Sequence, residues 1–461
     1  MSKKKITAIG LIILFAILIN VYIFAKVKPD MKVATETISL SMSSNQAMGV
    51  QIFYSDDLNF QADQMKAYEY KKPLEQVDIS VPVNINTKYV RIDFGDIANQ
   101  VTIYSAKLKV ADKEFEIDLS KFEKPELDSC INDIKKSNQV ISIDAADVDP
   151  YVVIALDDVD TKALYEQYYS HRYFIYDILL CIVVDVICAL CIVYLRKLVR
   201  VPLELYRDRK MVWNLSKNDF QAKFVGSYLG VIWAFVQPVI LMLLYWFVFQ
   251  VGLRAGNVSD YPFILYLMTG MIPWFYFSEA LNGGTSALTE YSYLVKKVVF
   301  DIDILPVIKV ISSVFVHLFF VVVIVVISAI YGYGPDLYLI QLIYYILCTC
   351  FLLVGLSYIN SACMVFFRDT AQVINIVLTI VVWITPIMWN PEGIISPKLQ
   401  VLFKINPFYY IVDGFRDAIL EKTWFWDKPV WTIYFWCIAI LIYIAGVGIF
   451  SRLKPHFSDV L

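Results

Sequence analysis

The sequence predicts an α-helical polytopic membrane protein of about eight spans, with an extracytoplasmic all-β sandwich between spans one and two. Three observations predict it. The 461-residue chain is 58% hydrophobic and 15% aromatic, with mean hydropathy +0.59, more apolar than soluble domains usually are. Eight apolar runs are each near the ~20 residues that a helix needs to cross a bilayer. Between the first two runs lies a long acidic stretch whose hydrophobicity alternates with period two instead.

The first run, "ITAIGLIILFAILINVYIFA" at about 6–25, follows "MSKKK". It is long and has no small-residue cleavage site, so residues 1–26 are expected to form an uncleaved anchor. The second run, about 173–195, ends in "YLRKLVR"; the others fall at about 228–250, 262–282, 305–331, 338–366, 371–389 and 431–452. Lysines and arginines near span ends mark the cytoplasmic side. That rule puts "MSKKK", 196–227, 283–304, 367–370 and "SRLKPHFSDVL" inside, and 27–172 outside. Both termini are then cytoplasmic.

Within 27–172 acids outnumber bases, and "TETISLSM", "VQIFYS", "YVRIDFG", "QVTIYSAKLKV", "KEFEIDL", "QVISIDA" and "YVVIALDD" alternate as half-buried strands do. Short runs separated by Asn, Asp, Gly and Pro point to a sandwich. "YSDDLNF" and "ALDDVD" are candidate calcium or sugar contacts, but neither has the ligand spacing of a calcium loop. Acidic turns of a spacer domain explain them as well.

Composition excludes several functions. A net charge of −3 argues against a nucleic-acid binder. Three scattered histidines, and cysteines that fall in apolar runs except Cys130, offer neither a metal site nor a disulfide framework. No nucleophile–base pair marks an enzyme. No GxxxxGK[ST] occurs, so the chain has no P-loop for ATP phosphates.

Four segments are specific: "RDRKMVWNLSKNDFQAKFVGSYLGVIWAFVQP", "GMIPWFYFSEALNGGTSALTEYSYLVKKVVFDIDILP", "VFFRDTAQVINIVLTIVVWITPIMW" and "INPFYYIVDGFRDAIL". In this order they resemble the permease subunit of type-2 ABC exporters, in the branch that exports lipid-linked polysaccharides such as O-antigens and teichoic acids. The resemblance covers roughly 205–461 and none of the first 200 residues, so the anchor, sandwich and second span are additions to the six-span pattern. It implies a homodimer in a bacterial cytoplasmic membrane, energised by two copies of a separate ATPase that carries ATP and magnesium. The chain itself would need no cofactor. Alternation and hydropathy make 27–172 the ectodomain and 173–200 the second span, and the resemblance implies 201–227 as interface helix and 228–461 as a six-span core with a re-entrant gate at 390–424.

Site residues follow from resemblance and chemistry together. In "YLVKKVVFDIDILP", Tyr293, Leu294 and Phe300 supply apolar contacts while Lys296, Lys297, Asp301 and Asp303 supply charge. In the family this loop couples to the ATPase, as a rigid piece between two spans can. The plain alternative is a solvated turn with snorkelling lysines. Residues 203–223 read as an amphipathic interfacial helix. Its Arg207, Arg209, Lys210, Lys217 and Lys223 would either meet a lipid pyrophosphate or hold the helix on anionic lipid. Trp233, Tyr245, Trp246, Tyr276 and Phe277, with Glu279 near the inner end of its span, are candidates for a glycan path. Belt and lipid-facing positions, or a packing hydrogen bond for Glu279, are the alternatives. Asp413, Arg416 and Asp417 have the i,i+3 and i,i+4 spacing of an ion pair that would close the outer mouth. Asp177 and Asp185 form a polar stripe on span two with Cys181 and Cys188, and His317 is a candidate partner for Asp185. Two other readings remain at this stage: a type-2 ABC exporter of lipids or small molecules, and a sensor built on the ectodomain.

Overall fold

The computed structural model describes residues 3–26, 35–56, 58–60, 65–84, 87–110, 113–119, 122–123, 131–137, 140–145, 150–156, 161–226, 228–254, 261–295, 301–391, 395 and 397–461. The chain divides into a β unit, 28–179, and a helical unit, 1–27 with 180–461.

The β unit is a two-sheet sandwich. One antiparallel sheet has the order β4-β1-β6-β10-β9 (β4 Val77–Asn84, β1 Thr35–Ser44, β6 Asn99–Val110, β10 Val140–Ala145, β9 Ile131–Ser137), and β7 (Lys113–Glu116) also pairs with β6. The other has the order β3-β2-β5-β11-β8 (β3 Met65–Tyr70, β2 Met48–Ser55, β5 Tyr89–Asp93, β11 Tyr151–Ala155, β8 Phe122–Glu123). Alternation explains the register. Ile38 and Leu40 pair with Val81 and Ile79 on one side, and with Leu108 and Ala106 on the other. They share one core with Val50, Ile52, Val90, Ile92, Val152 and Ile154 of the second sheet. Each of the seven alternating strings overlaps one of these strands. The sequence reading passed over β3, β4, β8 and β9, and each of these ends its sheet. Of these β3 and β9 alternate weakly, whereas β4 alternates from Val77 to Val83 but carries Pro82, which an edge tolerates.

The helical unit comprises α1 (Lys3–Lys26), α2 (Thr161–Arg207), α3 (Arg209–Ala222), α4 (Trp233–Trp246), α5 (Phe263–Glu290), α6 (Ser292–Val295), α7 (Leu305–Ile330), α8 (Gln341–Phe366), α9 (Thr370–Ile384), α10 (Pro397–Lys404), α11 (Pro407–Arg416), α12 (Pro429–Leu453) and α13 (Phe457–Val460). Residues 161–179 of α2 belong to the other unit by the division above. Among the described residues six helical stretches are long and apolar enough to cross a membrane: within α1 and α2, from Gly230 to Gly252, and about α7, α8 and α12. The 28-residue α5 is buried along most of its length and forms the centre of the core. Neighbours approach it closely: a Cβ on Gly284 would collide with Ser357 Oγ of α8. Likewise α8 meets α12 where a Cβ on Gly446 would collide with the Gly355 carbonyl oxygen. Small residues let backbones pack this tightly.

Two expectations need correction. The second span and the interface helix were divided at 200/201, yet α2 continues unbroken to Arg207. The break falls at Asp208, whose φ of −101° and ψ of 19° leave the helical region. The seventh run was read to 389, but α9 ends at Ile384 because Thr385 precedes a proline and is extended (φ −73°, ψ 126°). Residues before proline are pushed away from helical angles.

Candidate functional site

One end of the helical unit concentrates charge. There the 3-10 turn Ile302–Ile304 leads into α7, and Asp301 caps it by accepting a hydrogen bond from the Asp303 N–H at 3.4 Å. A few residues on, Lys309 sits in the first turns of α7, 5% exposed and surrounded by apolar neighbours. Its Nζ donates to Asp219 Oδ1 of α3 at 2.6 Å and to Glu290 Oε2 at the end of α5. Tyr291 donates its hydroxyl to the same Asp219 oxygen at 2.6 Å, and the ammonium lies 5.0 Å from the Tyr291 ring centroid. One cation thus ties α3, α5 and α7 together. Burial opposes ionisation of Asp219, but the bonds from Lys309 and Tyr291 outweigh it and hold the carboxyl below its ordinary value.

A second network lies beside the first. Arg200 of α2 reaches Glu204 at 2.6 Å and Asp303 at 3.0 Å. Lys454, beyond α12, reaches Asp301 at 3.1 Å and Asp303 at 2.7 Å, and Tyr358 of α8 donates to the Asp303 carbonyl at 2.7 Å. Burial would raise the Asp301 carboxyl; the hydrogen bond and charge of Lys454 hold it low. The two aspartates of the expected coupling loop are therefore turned into the bundle as anchors. Tyr293 is 58% exposed, Leu294 packs against the local core, and Lys296, Lys297 and Phe300 lie outside the described residues.

The basic residues of the interface helix all face solvent. Arg207 pairs with Asp208 at 3.0 Å, and Arg209 donates to the Tyr206 carbonyl and lies over its ring. Lys223 binds Glu279 of α5 at 2.7 Å, joining a residue expected at the interface to one expected on the path. Val212 and Asp219 are buried on the opposite side of α3 from Lys210 and Lys217. Lys210 and Lys217 thus mark the free face.

The aromatic candidates do not line one surface. Trp233 is 46% exposed, whereas Tyr276 and Phe277 are 2% and 6% exposed in the core. Tyr276 stacks on His317 at 4.8 Å, and Phe277 lies 4.5 Å from Phe408. Tyr245 and Trp246 are partly buried against the same core. This placement accounts for His317: it packs between Tyr276 and Phe415 and does not meet Asp185, which accepts instead from Asn20 of α1 at 3.1 Å.

At the opposite end, Asn406 caps α11 by accepting from the Phe408 N–H at 3.0 Å, with Pro407 in the first turn. The expected ion pair forms with a different cation. Arg416 donates to the Pro386 and Ile387 carbonyls at 2.6 and 3.3 Å and lies 3.7 Å from the Tyr266 ring centroid. It satisfies the carbonyls freed where α9 breaks, and so cannot turn to Asp413. Lys428, just before α12, takes Asp413 at 2.9 Å and Asp417 at 2.7 Å.

Sequence reasoning passed over Lys309, Asp219, Glu290 and Lys428. The signal for Lys309 was present: a lone cation inside an otherwise apolar helix demands a partner. What the sequence lacked was the identity of that partner, 90 residues earlier.

Comparison with known proteins adds to this geometry. Residues 211–420 match the family "ABC-2 type transporter". Over 263 residues the chain is 25% identical to the O-antigen export system permease protein RfbA of Myxococcus xanthus, covering 57% of this chain and 99% of that protein. Over 248 residues it is 25% identical to the O-antigen export system permease protein RfbA of Klebsiella pneumoniae, covering 54% of this chain and 93% of that one.

Proposed function

From the match of residues 211–420 to the family "ABC-2 type transporter" we propose that the chain is the membrane subunit of an exporter that moves a lipid-linked polysaccharide across a bacterial cytoplasmic membrane. Support for the cargo comes from the two O-antigen export permeases, which align over nearly their whole length. A partner ATPase supplies the energy, and two copies of each subunit form the working complex. Both termini face the cytoplasm, with the sandwich outside.

The observation that carries the mechanism is the tie through Lys309. A partner that pushes on α3 pulls on α5 and α7 at once, because one buried cation holds all three. Rigid elements joined in this way rock together rather than bend. Docking falls to the exposed Tyr293 and to Lys296 and Lys297 after it in the chain, while Asp301 and Asp303 anchor the entry to α7. The solvent-facing Arg207, Arg209, Lys210 and Lys217 flank the entry of an anionic head group.

The test is ATP hydrolysis by the reconstituted complex with polysaccharide substrate. Reversing Lys296→Glu together with Lys297→Glu is expected to lower substrate-stimulated hydrolysis while the assembly stays intact on size exclusion. Unchanged hydrolysis would remove coupling as the role of that loop.

A further inference from the structure

A cavity of about 480 Å³ lies between the added helices α1 and α2 and the α12 face of the core. Phe15 and Tyr22 of α1, Val184 and Cys188 of α2, and Pro429 and Ile440 of α12 mark its extent. The same three helices pack on one another through Ile23, Cys181, Val184, Ile187 and Cys437.

Its dimensions are those of one lipid tail. From Pro429 to Ile440 a helix rises roughly 16 Å, about half the ~30 Å hydrocarbon core and hence one leaflet. Spread along that length, the volume has a cross-section of roughly 30 Å², the girth of a single hydrocarbon chain. The wall offers no polar group to a ligand. Tyr22 donates to the Trp426 carbonyl at 2.7 Å, Thr432 to the Phe425 carbonyl at 2.7 Å, and Trp436 to the Tyr344 hydroxyl at 2.9 Å. Water has nothing to bind there, and left empty this half-open groove forfeits the contacts of its apolar walls.

The mouth selects the head group. Trp424 and Trp426 stack at 4.5 Å beside it, as aromatic residues do at a membrane interface. Beside Trp426 in the chain, the single ammonium of Lys428 lies within 4 Å of Asp413 and Glu421 as well as of the buried Asp417, and Asp427 is exposed. Lys422 is already engaged by Asp336 at 2.9 Å. The excess of carboxylates repels a phosphate or diphosphate without a compensating cation and favours an ammonium.

We propose that this cavity is a lipid site, filled by one acyl chain of an amine-bearing zwitterionic glycerolipid, which completes the packing of α1 and α2 on α12. The site is independent of the exporter reading and requires only that these helices span a membrane.

The full-length protein in nanodiscs tests it, with phosphatidylethanolamine carrying a photoactivatable diazirine in one chain and labelled peptides mapped by mass spectrometry. Label on residues 15–22 and 429–440 is expected to exceed that on the exposed Ile376 and Ile380 of α9 by about tenfold. Ile433→Trp fills the cavity from one wall and Val184→Phe from another; each is expected to abolish the first label and spare the second, so one variant suffices if the other fails to fold. Equal labelling of the two faces, or labelling that survives the filling variants, means ordinary bilayer contact and overturns the site. Stronger labelling by a diazirine polyprenyl phosphate than by phosphatidylethanolamine overturns the choice of lipid.

Discussion

Lys309 is the side chain with most to lose. Its charge and that of Asp219 are almost wholly buried, at 6% and 4% side-chain exposure. Removing one partner of such a pair leaves an uncompensated charge and costs about 3–5 kcal/mol, whereas replacing both with apolar residues is close to neutral. Lys309→Met is therefore expected to lower the thermal unfolding temperature sharply, and Lys309→Met with Asp219→Leu to restore most of it. A double variant as unstable as the single would refute the pairing. Lys223 and Glu279 are 26% and 40% exposed, and a pair so wet contributes about 0–1 kcal/mol. Lys223→Ala should barely move the same transition.

Among elements, α3 is held to the bundle through a carboxylate, which makes its attachment sensitive to acid. The folded-state values of Asp219 and Asp301 are depressed. Their stabilisation is present above the unfolded carboxylate value of about 3.9 and is lost as pH falls through the folded value. The protection of α3 amides, measured as exchange relative to the intrinsic rate at each pH, should thus be equal at pH 5 and pH 7 and should fall only in stronger acid. Protection already lower at pH 5 would mean that other groups hold α3. The contact of α5 with α8 predicts a different failure. Gly284→Ala drives its methyl into Ser357, and overpacking of this kind costs about 1–3 kcal/mol. Adding Ser357→Gly removes both clashing side-chain atoms and should recover much of the loss in the same unfolding assay.

At the scale of the whole molecule, the two kinds of periodicity were legible from the residues. Alternation reports a sheet with one buried face; β2 follows it over Met48–Ile52, and β6 follows it on either side of the register shift it shares with β1. The edge strands β3 and β9 obey it weakly and went unread, as did β4, which alternates but carries Pro82. Apolar runs located the spans, and proline and asparagine located the broken segment before α12. Partners were another matter. Arg416 had the spacing to meet Asp413, but the carbonyls exposed by the Pro386 break claimed it, and Lys428 arrived from the next helix instead. Tyr276 and Phe277 carry the chemistry of a sugar path and lie in the core all the same. The sequence alone determined the class of each segment, because burial on one face and the fixed rise of helix and strand impose a local period. Tertiary structure decided which charges meet and which rings are covered, because those contacts join residues that sequence spacing does not relate.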